Sequence, residues 1–152
     1  MRILIPVDGS KYTDMCLKTA AFLCRSKEAD EYVLLNVTHH ISDIDLELVP
    51  RDRDAIRESF MKRAEALLEK SKDYLLSQGI RNVTTVILKG ASPSQEIIEF
   101  AEKEKMNLII IGARGASEQA RFLLGAETPK VVKYSPCCVF VVKDTCMDFC
   151  TL

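Results

Sequence analysis

Nothing in this chain would carry it into or across a membrane. No apolar run approaches the roughly 18 residues of a membrane span, and no signal-peptide pattern opens the sequence. An excess of charge of one sign is also missing. The net charge is −1 over 152 residues, and basic and acidic side chains are interleaved, so there is no basic footprint for nucleic acid. Histidine is scarce. His39 and His40, at a strand end, have no accompanying metal ligands and no nucleophile beside them, and read as polar loop residues. No Ser-His-Asp or Cys-His constellation is present, so an enzymatic reading lacks a catalytic set. Six cysteines are present but no CxxC. Cys16 and Cys24 fall on an apolar helix face, Cys137 and Cys138 open a strand, and Cys146 and Cys150 sit in a C-terminal tail without a histidine nearby. Free thiols of this kind are commonly small buried hydrophobes. The expectation is a reduced, cytoplasmic protein that begins at Met1, with no metal site.

What is present is an alternation of two periodicities. Five short apolar runs, residues 3–7, 32–37, 83–88, 108–111 and 138–142, read as strands. They are apolar nearly throughout, as expected of parallel strands covered on both faces. Between them lie helical patterns at 12–26, 57–77, 95–104 and 129–134. The second places Phe60, Ala64, Leu67, Leu68 and Leu75 inward and stops at Gly79. Ser92-Pro93 reads as a cap followed by proline, with Gln95 positioned for a capping box, and Thr128-Pro129 repeats that logic. Alternating β and α units predict an α/β fold, a three-layer sandwich on a parallel sheet with right-handed crossovers. Residues 1–143 read as one domain and 144–152 as a tail. Residues 39–57 form a long connection, read as a flap near the ligand mouth or as a segment packed at an edge.

The chemistry of such a fold belongs at the carboxyl ends of its strands. There the fourth strand runs into Gly112, Gly115 and Gly125, and then into a helix. Glycines let backbone approach a ligand, and a helix N-terminus supplies unpaired N–H groups and positive dipole, a combination suited to phosphate. Asp8 follows the first strand in Pro6-Val7-Asp8-Gly9-Ser10. Its carboxylate suits ribose hydroxyls or a metal ion, or else it caps the first helix. Val37, ending the second strand, can offer backbone to a base edge. The loop is not a Walker A sequence, so any ATP hydrolysis is expected to be slow.

DGS after the first strand, G-x2-G-x9-G after the fourth, and SPCCVFVVK at the end together resemble the universal stress protein family over essentially the whole chain. The resemblance implies a five-stranded Rossmann-like sheet of order 3-2-1-4-5. It also implies a homodimer paired through the last strand, Cys138, Val139, Phe140, Val141 and Val142. ATP or another adenine nucleotide, with or without Mg, would be the cofactor of a stress-response or signalling switch. By the same resemblance Pro6, Val7, Asp8 and Val37 surround adenosine, with Ser10 in the same turn. Ile111, Gly112, Arg114, Gly115, Gly125, Ala126, Glu127 and Thr128 lie around the phosphates. This chain departs from the nucleotide-binding pattern at Ala126, which replaces a serine or threonine, and Glu127 then brings a carboxylate to the helix start. Thr128 offers a nearby hydroxyl, and Arg114, Arg121, Lys11 and Lys130 are cations that contact phosphate or are solvated. The competing class is a nucleotide-free interaction dimer, in which the glycines serve only turns and close packing.

Overall fold

The computed structural model describes residues 1–23, 29, 31–39, 53–115 and 124–144. Cys24, His40, Arg121, Cys146, Cys150 and most of the 39–57 connection lie outside them. The elements run β1 (Arg2–Pro6), α1 (Lys11–Leu23), β2 (Glu31–His39), α2 (Arg53–Ser77), β3 (Val83–Gly90), α3 (Pro93–Lys103), β4 (Leu108–Gly112), α4 (Thr128–Tyr134) and β5 (Cys138–Val142). All strand pairs are parallel and the order is β3-β2-β1-β4-β5.

The uniformly apolar strands follow from the layering. On β1, Ile3 and Ile5 face one core, packed with Cys16 and Ala20 of α1 and Leu68 and Leu75 of α2. Leu4, between them, faces the other core with Ile97 and Ala101 of α3 and Val131 of α4. Period-two side chains covered on both sides leave no polar face. Each fully buried Ile or Leu contributes about 1.5–3 kcal/mol.

Several local expectations changed. Phe60 is 41% exposed, because the first turns of α2 hold no buried side chain and packing begins at Ala64. The stripe that does pack is Ala64, Leu68, Ser71 and Leu75. Ser92 is the N-cap of α3 but makes no side-chain cap bond. Gln95 donates along its own helix to Glu99 at 2.8 Å, so no capping box forms. Thr128 lies inside α4, whose N-cap is Glu127. Cys16 is buried, whereas Cys138 is exposed.

The strand order places the functional geometry. The chain leaves β1 toward β2 and β3, then returns to the other side of β1 for β4 and β5. The crossovers therefore diverge at the carboxyl ends of β1 and β4, and a crevice opens between them.

Candidate functional site

The β1–α1 turn forms the first wall. Val7 extends the ladder by one bond, its N–H donating to the Leu35 carbonyl at 2.8 Å. Gly9 then turns the chain at φ +77°, a conformation that suits glycine. Thr13, buried at the start of α1, ties the turn. Its Oγ1 accepts from the N–H groups of Asp8 and Gly9 at 3.1 and 3.2 Å and donates to Asp8 Oδ1 at 3.0 Å. Asp8 Oδ1 also accepts the Ser10 N–H at 3.0 Å. One carboxylate oxygen of Asp8 thus shapes the turn, while Oδ2 points toward Gly115, where an added Cβ would come within 3.0 Å of it. Ser10 Oγ is buried without a hydrogen-bond partner among the described residues.

Strand lengths create the second wall. Pro6, the last residue of β1, pairs with Leu35, but β2 continues to His39. Backbone groups of a strand alternate sides, and Leu35 accepts from the β1 side. Val37 therefore turns its N–H and C=O to that same side, above the end of β1. The Val7 carbonyl is closed off by Asn36 Nδ2 at 2.7 Å, which leaves the Val37 edge directed into the crevice.

The third wall is the glycine segment, and steric room explains its glycines better than turn geometry does. Among the described residues only Gly9 and Gly79 are positive-φ glycines. At Gly112 a Cβ would lie 2.5 Å from Tyr12 Cβ, a distance real side chains do not tolerate. The Gly125 N–H donates to the Ala113 carbonyl at 2.7 Å, fastening the two sides of the loop. Thr128, buried, donates its hydroxyl proton to the Gly112 carbonyl at 2.8 Å, so it offers a ligand no donor.

Glu127 has a role that sequence reasoning missed. Its Oε2 accepts the Ser94 N–H at 2.8 Å, supplying the acceptor that Ser92 fails to provide for α3. Its Oε1 pairs with Lys130 Nζ at 2.8 Å. Burial opposes ionisation, but the bonds from Lys130 and Ser94 outweigh it and hold the carboxyl at about 2. The two ambiguous lysines are both occupied by carboxylates, Lys130 by Glu127 and Lys11 by Asp144 at 2.9 Å. Tyr12 Oη also donates to Asp144, at 3.2 Å. Arg114 is half-buried, and its Nε is buried with no hydrogen-bond partner among the described residues.

The walls enclose about 360 Å³, toward the lower end of the roughly 300–1,000 Å³ typical of small-molecule sites. Pro6, Val7, Asp8, Ser10 and Val37 meet Ile111, Gly112, Arg114, Gly115, Gly125, Glu127 and Thr128 on one lining. Ala126 is exposed and does not contribute to it. Tyr12, Asn36, Pro93 and Ile97 join the lining unforeseen. Ile97 enters through its helical stripe, and Pro93 from the start of α3, which packs over β2 and β3. The described residues hold no group of three or more His, Cys, Asp or Glu side chains placed for a metal, and none of their helices is long and apolar enough to cross a membrane.

Comparison with known proteins supplies the context for this crevice. The model of the universal stress protein family matches residues 1–143. Universal stress protein MJ0531 of Methanocaldococcus jannaschii is 31% identical over 146 residues, spanning 93% of this chain and 81% of that protein. The solved structure of MJ0577, from the same organism, superposes with a TM-score of 0.78 at 30% identity, covering 93% of this chain and 94% of that one. At the level of fold alone, two structures at 19% identity are also similar. One is a universal stress protein in complex with cAMP (TM-score 0.66), and the other an Archaeoglobus fulgidus protein in complex with dAMP (TM-score 0.62). They cover 93% and 94% of this chain and 95% and 98% of their own.

Proposed function

The chain belongs to the universal stress protein family, and on that premise we propose that its crevice binds an adenine nucleotide and that the protein acts as a ligand-responsive switch. The observation that carries the reading is the pair of buried donors, Ser10 Oγ and Arg114 Nε, that have no partner among the described residues and lie on the lining of one cavity. Burying a polar group without a partner costs roughly 1–3 kcal/mol, so two at one cavity argue for a ligand that completes them. Adenine nucleotides bound by proteins of the same fold support that choice of ligand.

Each wall has a part. The Val37 N–H and C=O present a donor–acceptor pair suited to the base edge. Asp8 Oδ2 lies on the ribose side of the turn as an acceptor for hydroxyls. Arg114, Ser10 and the Gly112–Gly115 backbone take the phosphate end. The glycine loop carries no Gly-Lys-Ser/Thr sequence, so hydrolysis is at most slow and the bound state itself is the signal. The apolar edge of β5 adds the means of assembly. Cys138 is exposed and Val139, Phe140 and Val141 are half-buried on a strand with a neighbour, β4, on one side only. Antiparallel pairing with a second copy removes that edge.

One observation favours the nucleotide-free reading: Gly112 is required by Tyr12 whether or not a ligand binds. That accounts for one glycine and leaves Ser10 and Arg114 unexplained. Mass spectrometry of the denatured purified protein should release an adenine nucleotide, and calorimetric titration should show saturable binding of at least one of AMP, ADP and ATP. Absence of binding for all three, with and without magnesium, would sink the proposal.

A further inference from the structure

Two hydroxyls line the crevice at the entry to α1, and they stand in opposite states. Ser10 Oγ is buried with no hydrogen-bond partner among the described residues, whereas every hydrogen-bonding site of the Thr13 hydroxyl is used. A hydroxyl has one proton to donate and two lone pairs to accept with. Thr13 Oγ1 gives its proton to Asp8 Oδ1 at 3.0 Å and accepts from the N–H groups of Asp8 and Gly9 at 3.1 and 3.2 Å. Thr13 therefore belongs to the cavity lining with nothing left to give a ligand. Its effect on a ligand must pass through Asp8.

Asp8 is an exposed residue, and an exposed carboxylate ordinarily exchanges between rotamers. Here Oδ1 is held from two sides at 3.0 Å, by the Ser10 N–H and by the Thr13 hydroxyl. The Ser10 bond is the ordinary local partner of an aspartate in a turn. Thr13 is the added one. It reaches back from inside α1, where it is 3% exposed, and so ties a loop side chain to the packed body of the helix. With Oδ1 fixed, the direction of Oδ2 is fixed as well. It is turned toward Gly115, where an added Cβ would come within 3.0 Å of it, and Asp8 and Gly115 line the same cavity.

We infer that Thr13 is a positioning residue for ribose recognition: it holds the Asp8 carboxylate with Oδ2 presented to the ribose hydroxyls, and makes no contact with the ligand itself. The inference rests on the proposed nucleotide binding and adds to it the device that sets the angle of the ribose acceptor. An acceptor fixed in advance loses no rotamer freedom when the ligand arrives, so more of each hydrogen bond appears as affinity.

The test is calorimetric titration of the intact protein with AMP, ADP and ATP, each beside its dideoxy counterpart, which lacks both ribose hydroxyls. Wild type should prefer the ribose form by about tenfold, the scale of a hydrogen bond to a charged acceptor. Thr13→Val, similar in shape but unable to make any of the three bonds, should bring that preference down to about threefold or less. Thr13→Ser, which can make all three, should return it toward the wild-type value. Should Thr13→Val fail to fold, Thr13→Ala carries the same prediction in a residue that favours the helix. A merely structural role would weaken both forms of the nucleotide alike and leave their ratio where it was. That result, or a wild type with no preference for the ribose form, would overturn the inference while leaving nucleotide binding intact. Failure of all three nucleotides to bind would remove both.

Discussion

The two ends of the sheet are built on opposite terms. At the amino end the polar groups of Arg2, Glu31 and Asn107 are paired off. Arg2 reaches Glu31 at 2.8 Å and donates to the Glu104 carbonyl, its own N–H is taken by Asn107 Oδ1, and its carbonyl accepts the Asn107 N–H. Thr84 adds a further bond to Glu31 at 3.1 Å. At the carboxyl end the same sheet ends in Gly112, Gly115, the Val37 edge and two buried donors without partners among the described residues. Satisfied hydrogen bonds at one end and unmade ones at the other, in a single fold, separate what stability requires from what a ligand would complete.

The comparison can be broken or sharpened by substitution. The largest effect is expected at Gly112→Ala. Its Cβ would collide with buried Tyr12, and overpacking of this kind costs about 2–3 kcal/mol in urea unfolding and should abolish nucleotide binding. At the amino end, Arg2→Ala should lose about 1–2 kcal/mol, because Glu31 and the Glu104 carbonyl lose a shared donor. Nucleotide affinity should be unchanged, and a fall in affinity would show that the two ends are coupled.

Glu127→Gln lies between the two cases. The side chain is 37% exposed, so after solvent screening its charge contributes at most about 1 kcal/mol at neutral pH. The sign follows from the lowered pKa. Stabilisation is fully present above the ordinary value of 4.5 and is lost as the pH falls toward about 2, so wild type and variant should converge over that window in acid-unfolding curves. The smallest stability effect is expected at Ser10→Ala. Removing a hydroxyl that has no protein partner among the described residues should change stability by no more than about 0.5 kcal/mol. AMP affinity should nevertheless fall, and a variant that binds AMP normally would place Ser10 outside the site.

The fold was legible because its signal is local and repeated. Apolar runs of four to six residues between amphipathic helices specify a parallel sheet without long-range information. The strand order came from the family resemblance, and the sheet has the same order. What was not legible depends on partners far apart in the chain. Gln95 was expected to cap α3, but Glu127, 33 positions away from Ser94, supplies the acceptor. Thr128 was expected to be a cap, but Gly112 claims its hydroxyl. Phe60 matched the helical period of α2 yet lies where the helix has no packed face. Periodicity indicates which side of a helix is apolar, and it does not indicate how far the neighbouring layer extends.

Amide hydrogen exchange with and without saturating AMP compares the two ends in one experiment. Added protection is predicted at Val7–Ser10, Asn36–Val37 and Gly112–Gly115, with none at Glu104–Leu108 or Ile3. Protection that is absent from the carboxyl end, or that appears equally at both ends, would contradict the assignment of that crevice as the ligand site.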